Sequence, residues 1–292
     1  MSDFIQQKLW EVISQNTSAS EADWLMQKSQ SHAMELMTAF VASPRFLTKK
    51  IIHVTPELAW DLNSEIPGFS VSGWSLVRLS RVWLLTQLDS SEKETYVKNI
   101  GTLFDTAEMN ELVALYSALP LLSYPDEWLF RATDAVRSNM GFVFDAIALY
   151  NPFPAQYFSE QAWNQLVLKT IFNDKPIHFI EGLESRMNED LAMILSDFAH
   201  ERWAAGRSVA PQVWRLVSKF MNDNIVSDMQ HLLKSGILPN KQAAVIACFE
   251  SDYKPAKDLI SQYPELEKQV SSGQLTWTDL ETTDLNTYVP QP

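Results

Sequence analysis

NPFPAQYFSEQAWNQLVLKTIF, Asn151 to Phe172, carries the two signals that decide the fold. From Ser159 onward, Trp163, Leu166, Val167 and Thr170 recur at i, i+3, i+4 and i+7, the spacing of one apolar stripe on a helix. Ser159 stands where an N-cap belongs. The half before it, NPFPAQYF, sets two prolines among aromatics. Proline disfavours helix in the residue ahead of it, so this stretch hands one helix to the next through a rigid turn.

The same alternation of helix and proline turn runs outward in both directions. NELVALYSAL, from Asn110, stops at Pro120, and Pro125 opens DEWLFRATDAVRSNMGFVFDAIALY, which stops before Pro152. Beyond Phe172, Pro176 starts IHFIEGL. Asn188 is placed to cap EDLAMILSDFAHERWAAG, and Gly206 to close it as a left-handed C-cap. Pro211 starts QVWRLVSKFM, Asn224 is placed to cap IVSDMQHLLKSG, and two more helices follow from Lys241 and Pro255. Toward the N-terminus, Ser20 to Asp23 reads as a capping box for a helix running from Ala22 to Ala42, ended by Pro44. Thr55-Pro56 opens another, PGFSVSG (Pro67–Gly73) is a loop, and WSLVRLSRVWLLTQL is a helix with Arg78 and Arg81 on one flank.

No run alternates with period two, and no Asn-Gly or Asp-Gly hairpin signal occurs. The expected fold is all-α: an irregular α-solenoid, a HEAT-like array of antiparallel helix pairs without a strict repeat. Three regions are expected. Residues 1–105 form an N-terminal helical region packed continuously on a core at 106–270, and residues 271–292, polar and Thr-rich, form a poorly ordered tail.

Composition narrows the function classes. The net charge of -13, from 23 basic and 36 acidic residues, repels phosphate backbones and argues against nucleic acid as a partner. The one cysteine, Cys248, lies in the apolar run AAVIACF and reads as a small buried hydrophobe. The N-terminal MSDFIQQKLWEVISQ is amphipathic rather than basic and then apolar, and no apolar run is long enough to span a bilayer, so a cytoplasmic protein is expected. With eight glycines there is no phosphate-cradling loop and no G-x-S-x-G elbow, so the common cofactor enzymes are not indicated and no cofactor is expected.

Several residues remain that carry chemistry. Asp197-Phe-Ala-His200 and Asp228-Met-Gln-His231 are two D-x-x-H words on expected helices, the spacing dimetal bundles use, although acids are abundant enough here to produce such words by chance. They define the alternative to a binding protein: a metal-dependent enzyme using Asp197, His200, Asp228 and His231. Asp145 interrupts MGFVFDAIALY and must be paired or solvated, with Arg137, Lys169 or Arg202 as partners, either as a structural ion pair or as part of a ligand site. Glu201 and Arg202 follow His200, and His178 is a weaker candidate. Of the aromatics, Phe158 and Phe172 read as staples of the proline turn, while Phe153 and Tyr157 are left as candidate pocket walls. Asn151 is placed to hold the lip by side-chain-to-backbone hydrogen bonds.

ALYSALPLL (Ala114–Leu122), RSNMGFVFDAIALYNPFPAQYF (Arg137–Phe158), AWNQLVLKTIF (Ala162–Phe172) and AHERWAAGR (Ala199–Arg207) together resemble the EboA family, over roughly the middle third of the chain. The resemblance implies a soluble helical protein encoded beside a membrane prenyltransferase-like protein and TIM-barrel proteins. It implies a part in moving a secondary-metabolite precursor, and it brings no catalytic residue. The combined expectation is a non-catalytic binding or scaffold protein. Its groove would present Arg137, Asn139, Asp145, Asn151, Phe153, Tyr157, Lys169, His200, Glu201 and Arg202 to a small hydrophobic or aromatic metabolite, or to proteins of the same gene cluster.

Overall fold

The computed structural model describes residues 3–281. Among them the chain is all-helical and has no strand; one isolated antiparallel bridge joins Ile51 and Ser75. The helices are α1 (Asp3–Asn16), α2 (Ala19–Ser29), α3 (Ala33–Phe46), α4 (Pro56–Glu65), α5 (Leu76–Thr86), α6 (Lys93–Thr106), α7 (Met109–Ala118) and α8 (Leu129–Arg137). They continue as α9 (Gly141–Ala148), α10 (Phe153–Tyr157), α11 (Glu160–Phe172), α12 (Glu189–Ala204), α13 (Asp223–Lys234), α14 (Leu238–Glu250), α15 (Lys254–Ile260) and α16 (Pro264–Ser271). No described helix is long and apolar enough to cross a membrane.

The chain divides into two compact units. One runs to Lys169 and takes back Phe179–Glu181; the other holds Thr170–His178 and the chain from Gly182 on. The division therefore falls inside α11, the helix of the opening stretch, whose Trp163, Leu166, Val167 and Thr170 are all fully buried.

In the first unit α5 is the hub. It packs on α1, α2, α3 and α7, while α7 packs on α9 and α1 on α4. Every residue of α5 is buried except Arg78. A helix that is apolar nearly all round belongs in a core, which explains why it lies at the centre rather than along one edge. The N-terminal helices differ from expectation in detail. Ser18 rather than Ser20 caps α2, in a capping box with Glu21. The expected helix from Ala22 to Ala42 is interrupted by a turn at 30–32, with His32 as the N-cap of α3.

Pro44 does not end α3 but lies inside it. Proline has no N–H, so the carbonyl four residues back, that of Phe40, loses its helical donor. Arg81 of α5 supplies one, from Nε at 3.0 Å. This is the physical reason a charged residue is buried in the middle of α5, and why the helix passes Pro44.

In the second unit α14 is the hub, packing on α13, α15, α16 and the segment Pro211–Phe220. That segment is a ten-residue 3-10 helix rather than the expected α-helix. Its three-residue turn superposes Val213 on Leu216 and Trp214 on Val217, four buried residues in two stacks. Asn188 caps α12 as expected, through Leu191 N–H at 2.9 Å, and Gly206 closes it at φ 69°. Asn222 rather than Asn224 caps α13. Cys248 is fully buried in α14, and burial pushes its thiol up to about 12. The first part of the expected tail is packed: Leu275, Trp277 and Leu280 are buried, and Arg215 bonds both Glu184 (2.7 Å) and Glu281 (2.9 Å). The rest of that tail, 282–292, lies outside the described residues.

Candidate binding cleft

A partly enclosed cleft of about 390 Å³ opens in the first unit beside α5. Its rim is a short backbone clip: Ile52 N–H donates to Trp74 O at 2.9 Å, and Leu76 N–H to Lys50 O at 2.8 Å. Gly73, at φ 76°, turns the chain ahead of this clip. Pro44, Ile51, Val77, Val113 and Phe142 give the cleft apolar walls from four separate segments. Lys49, Arg78, Arg81 and Glu108 supply its charges.

The two arginines are one turn apart on α5, yet their surroundings differ. Arg81 is committed to structure. Besides the Phe40 carbonyl it reaches Glu111 at 3.1 Å and Glu108 at 3.9 Å. Glu111 is itself buried and closes a capping box at the start of α7 by accepting from Glu108 N–H. Burial lowers the Arg81 pKa, and Glu111 and then Glu108 oppose the shift.

Arg78 is half-buried. Its guanidinium lies 4.2 Å from the centre of the Trp74 ring and donates from Nε to Ser117 Oγ at 3.0 Å. That is its one hydrogen bond among the described residues, so the two terminal nitrogens keep their donors. Burial brings its pKa down to about 9, opposed by the charge of Asp145. The group is still a cation at neutral pH.

The expected site residues fall in different places. Asp145 is buried on α9, as its position in an apolar run demands, and its charge acts on Arg78 of α5, a residue not among the partners expected for it. Lys169 donates to the Val136 and Ser138 carbonyls, 2.6 Å each, at the end of α8, where a helix favours a cation. Arg202 Nε bonds Ser208 O at 2.6 Å. Arg137 and Asn139 are exposed around the C-terminal end of α8. Asn151 is buried and does hold the turn: it accepts from Phe153 N–H and donates to the Tyr116 and Ala146 carbonyls. Phe153 is fully buried, with Tyr157 tilted against it at 4.9 Å and more exposed. Phe158 is buried as a staple should be; Phe172 is 54% exposed and leans on Phe198 instead.

In the second unit, the four residues of the metal alternative do not converge. Asp228 is buried, accepting from Ser196 Oγ at 2.5 Å and meeting His200 Nε2 at 2.5 Å. Asp197 is exposed, and His231 lies flat on Trp203, ring centres 4.0 Å apart. No group of three His, Cys, Asp or Glu among the described residues is placed to hold a metal ion. Glu201 is exposed, and His178 Nδ1 lies 3.1 Å from Gln212 Oε1.

Arg78 and Arg81 are therefore the residues that sequence reasoning passed over. The signal was present: two cations inside WSLVRLSRVWLLTQL demand an explanation by the same rule that singled out Asp145.

The fold and the cleft define an all-helical protein with a cation-lined recess in its N-terminal unit. The chain belongs to a family described as metabolite traffic protein EboA, whose model matches residues 5–218. The match thus reaches from the first helix across every cleft residue, well beyond the middle third, and ends before Asp228 and His231. No curated protein and no solved structure matches the chain.

Proposed function

We propose that this protein is a non-catalytic carrier or scaffold that binds a secondary-metabolite precursor in the α5 cleft and assists its traffic together with other proteins of its gene cluster. The family's description supports a role in metabolite traffic. The observation that carries the binding role is the cleft itself. Its size is within the roughly 300–1,000 Å³ of small-molecule sites, and apolar walls around a few polar groups are their usual lining. Its cations are guanidinium and ammonium groups, which hold anions rather than shuttle protons near neutral pH. The alternating contacts α3–α5–α7–α9 support reading the first unit as a short, irregular α-solenoid. The exposed Arg137 and Asn139 of the first unit, and His200 and Glu201 of the second, are offered for contact with partner proteins.

Native mass spectrometry of the protein purified from a cell that makes the metabolite tests this reading. The expected result is one small molecule per chain, lost in Asn110→Trp, which fills the mouth from an exposed lining position. A molecule retained unchanged by the plugged variant, or converted to product on incubation, would overturn it.

A further inference from the structure

The ligand class can be read from how the cleft's charges are already used. Arg81 is spent on the Phe40 carbonyl and on Glu111, and Glu108 faces it from the mouth. What is left for a guest is the free edge of the Arg78 guanidinium, pinned in place by Ser117 Oγ and the Trp74 ring, with exposed Lys49 at the rim. A fixed guanidinium edge matches the two oxygens of a carboxylate. The charge of Asp145, which acts on Arg78, and Glu108 in the cleft lining limit the negative charge the cleft accepts. A dianionic phosphate would meet Glu108 directly and feel the charge of Asp145 through Arg78. Pro44, Ile51, Val77, Val113 and Phe142 then face whatever carries the anion, and they offer it only apolar surface.

From this arrangement we propose that the cleft binds a monoanionic carboxylate with an apolar body, its carboxylate paired to the terminal nitrogens of Arg78 and its body enclosed by α3, α5, α7 and α9. Arg78 is the residue that selects the anion; Ser117 and the Trp74 ring position it. The inference rests on the cleft being the binding site.

Calorimetric titration with 2-naphthoate and with its neutral counterpart 2-naphthamide tests it. Both have the same body, so their difference isolates the charge. The acid is expected to bind about ten- to a hundredfold more tightly, as a charge-assisted pair predicts. Arg78→Gln should remove all but the small share of that preference owed to Lys49, while leaving the amide unchanged. Lys49→Gln, at an exposed position that does not support the fold, should cut acid binding about two- to threefold and flatten its salt dependence. If acid and amide bind equally and Asn110→Trp abolishes both, the cleft stands as a site and the anion assignment falls. If neither compound binds, or inorganic phosphate competes with naphthoate at equal concentration, the assignment is also overturned. Should Arg78→Gln fail to fold, the acid–amide comparison in the native chain and in Lys49→Gln decides alone.

Discussion

Each unit buries an aspartate on one helix within the electrostatic reach of an arginine or a histidine on another, but the results differ. In the second unit Asp228 is saturated: Ser196 takes one oxygen, His200 the other, and His231 is turned away onto Trp203. The arrangement clasps α12 to α13. In the first unit the charge of the acid, Asp145, acts on Arg78, whose side chain makes a single hydrogen bond and borders a void. What separates a clasp from a site is whether donors remain unused beside space that a guest can enter. The D-x-x-H words drew attention to the clasp because they look like ligands, and the site was overlooked because arginines in an apolar helix look like an anomaly.

The largest test of this contrast is Arg81. Arg81→Met leaves Glu111 buried without its cation and the Phe40 carbonyl without its donor. Removing one partner of a buried pair costs about 3–5 kcal/mol. Denaturant unfolding should show that loss, and Arg81→Met with Glu111→Leu should recover much of it. A single variant within about 1 kcal/mol of the native chain would mean that Arg81 is not the frame of the cleft, and the distinction between the two arginines would collapse.

That arginine also shows what could be read in advance. The all-helical class, the proline turns, the Trp163 stripe and the cap of α12 follow from local rules that act over a few residues, so a single sequence suffices. The break between α2 and α3 could not be read, because no proline or glycine marks it, and the bond that ties the start of α2 to the end of α3 is distant: Glu21 accepts from Thr48 N–H, 27 residues away. Pro44 reads as a helix stop until one knows that Arg81 supplies the missing donor. The cleft draws on four segments between Pro44 and Phe142, and no periodicity joins them. Asp145 was legible as a residue needing a partner, but the partner was set by tertiary packing.

Glu21 gives the next effect, and it acts through pH. Burial alone would raise its pKa, but the Ser18 and Thr48 N–H groups and the Ser18 hydroxyl outweigh it, bringing the carboxyl from 4.5 to about 2. A depressed carboxyl stabilises the fold fully above the unfolded value of 4.5, and that support is lost as pH falls toward 2. Its share is about 2–3 kcal/mol at neutral pH. Glu21→Gln should therefore lag the native chain in urea midpoint at pH 7 and approach it by pH 3. A gap that stays constant with pH would show that the bond to Thr48, not the charge, sets the start of the first unit's frame.

The smallest effect falls on the clasp. His200 is about half exposed, so its bond to Asp228 is screened by water, and Ser196 keeps the other oxygen satisfied when the imidazole goes. His200→Gln should cost no more than about 1 kcal/mol and leave naphthoate binding at the α5 cleft untouched. Zinc or manganese added to either protein should leave the melting temperature where it was, since Asp197 and His231 do not join the Asp228 pair. A metal-dependent rise in Tm that disappears in His200→Gln would restore the metal reading and turn the clasp into a site. A loss of naphthoate affinity in the same variant would break the comparison from the other side, because it would mean that the second unit controls the cleft of the first.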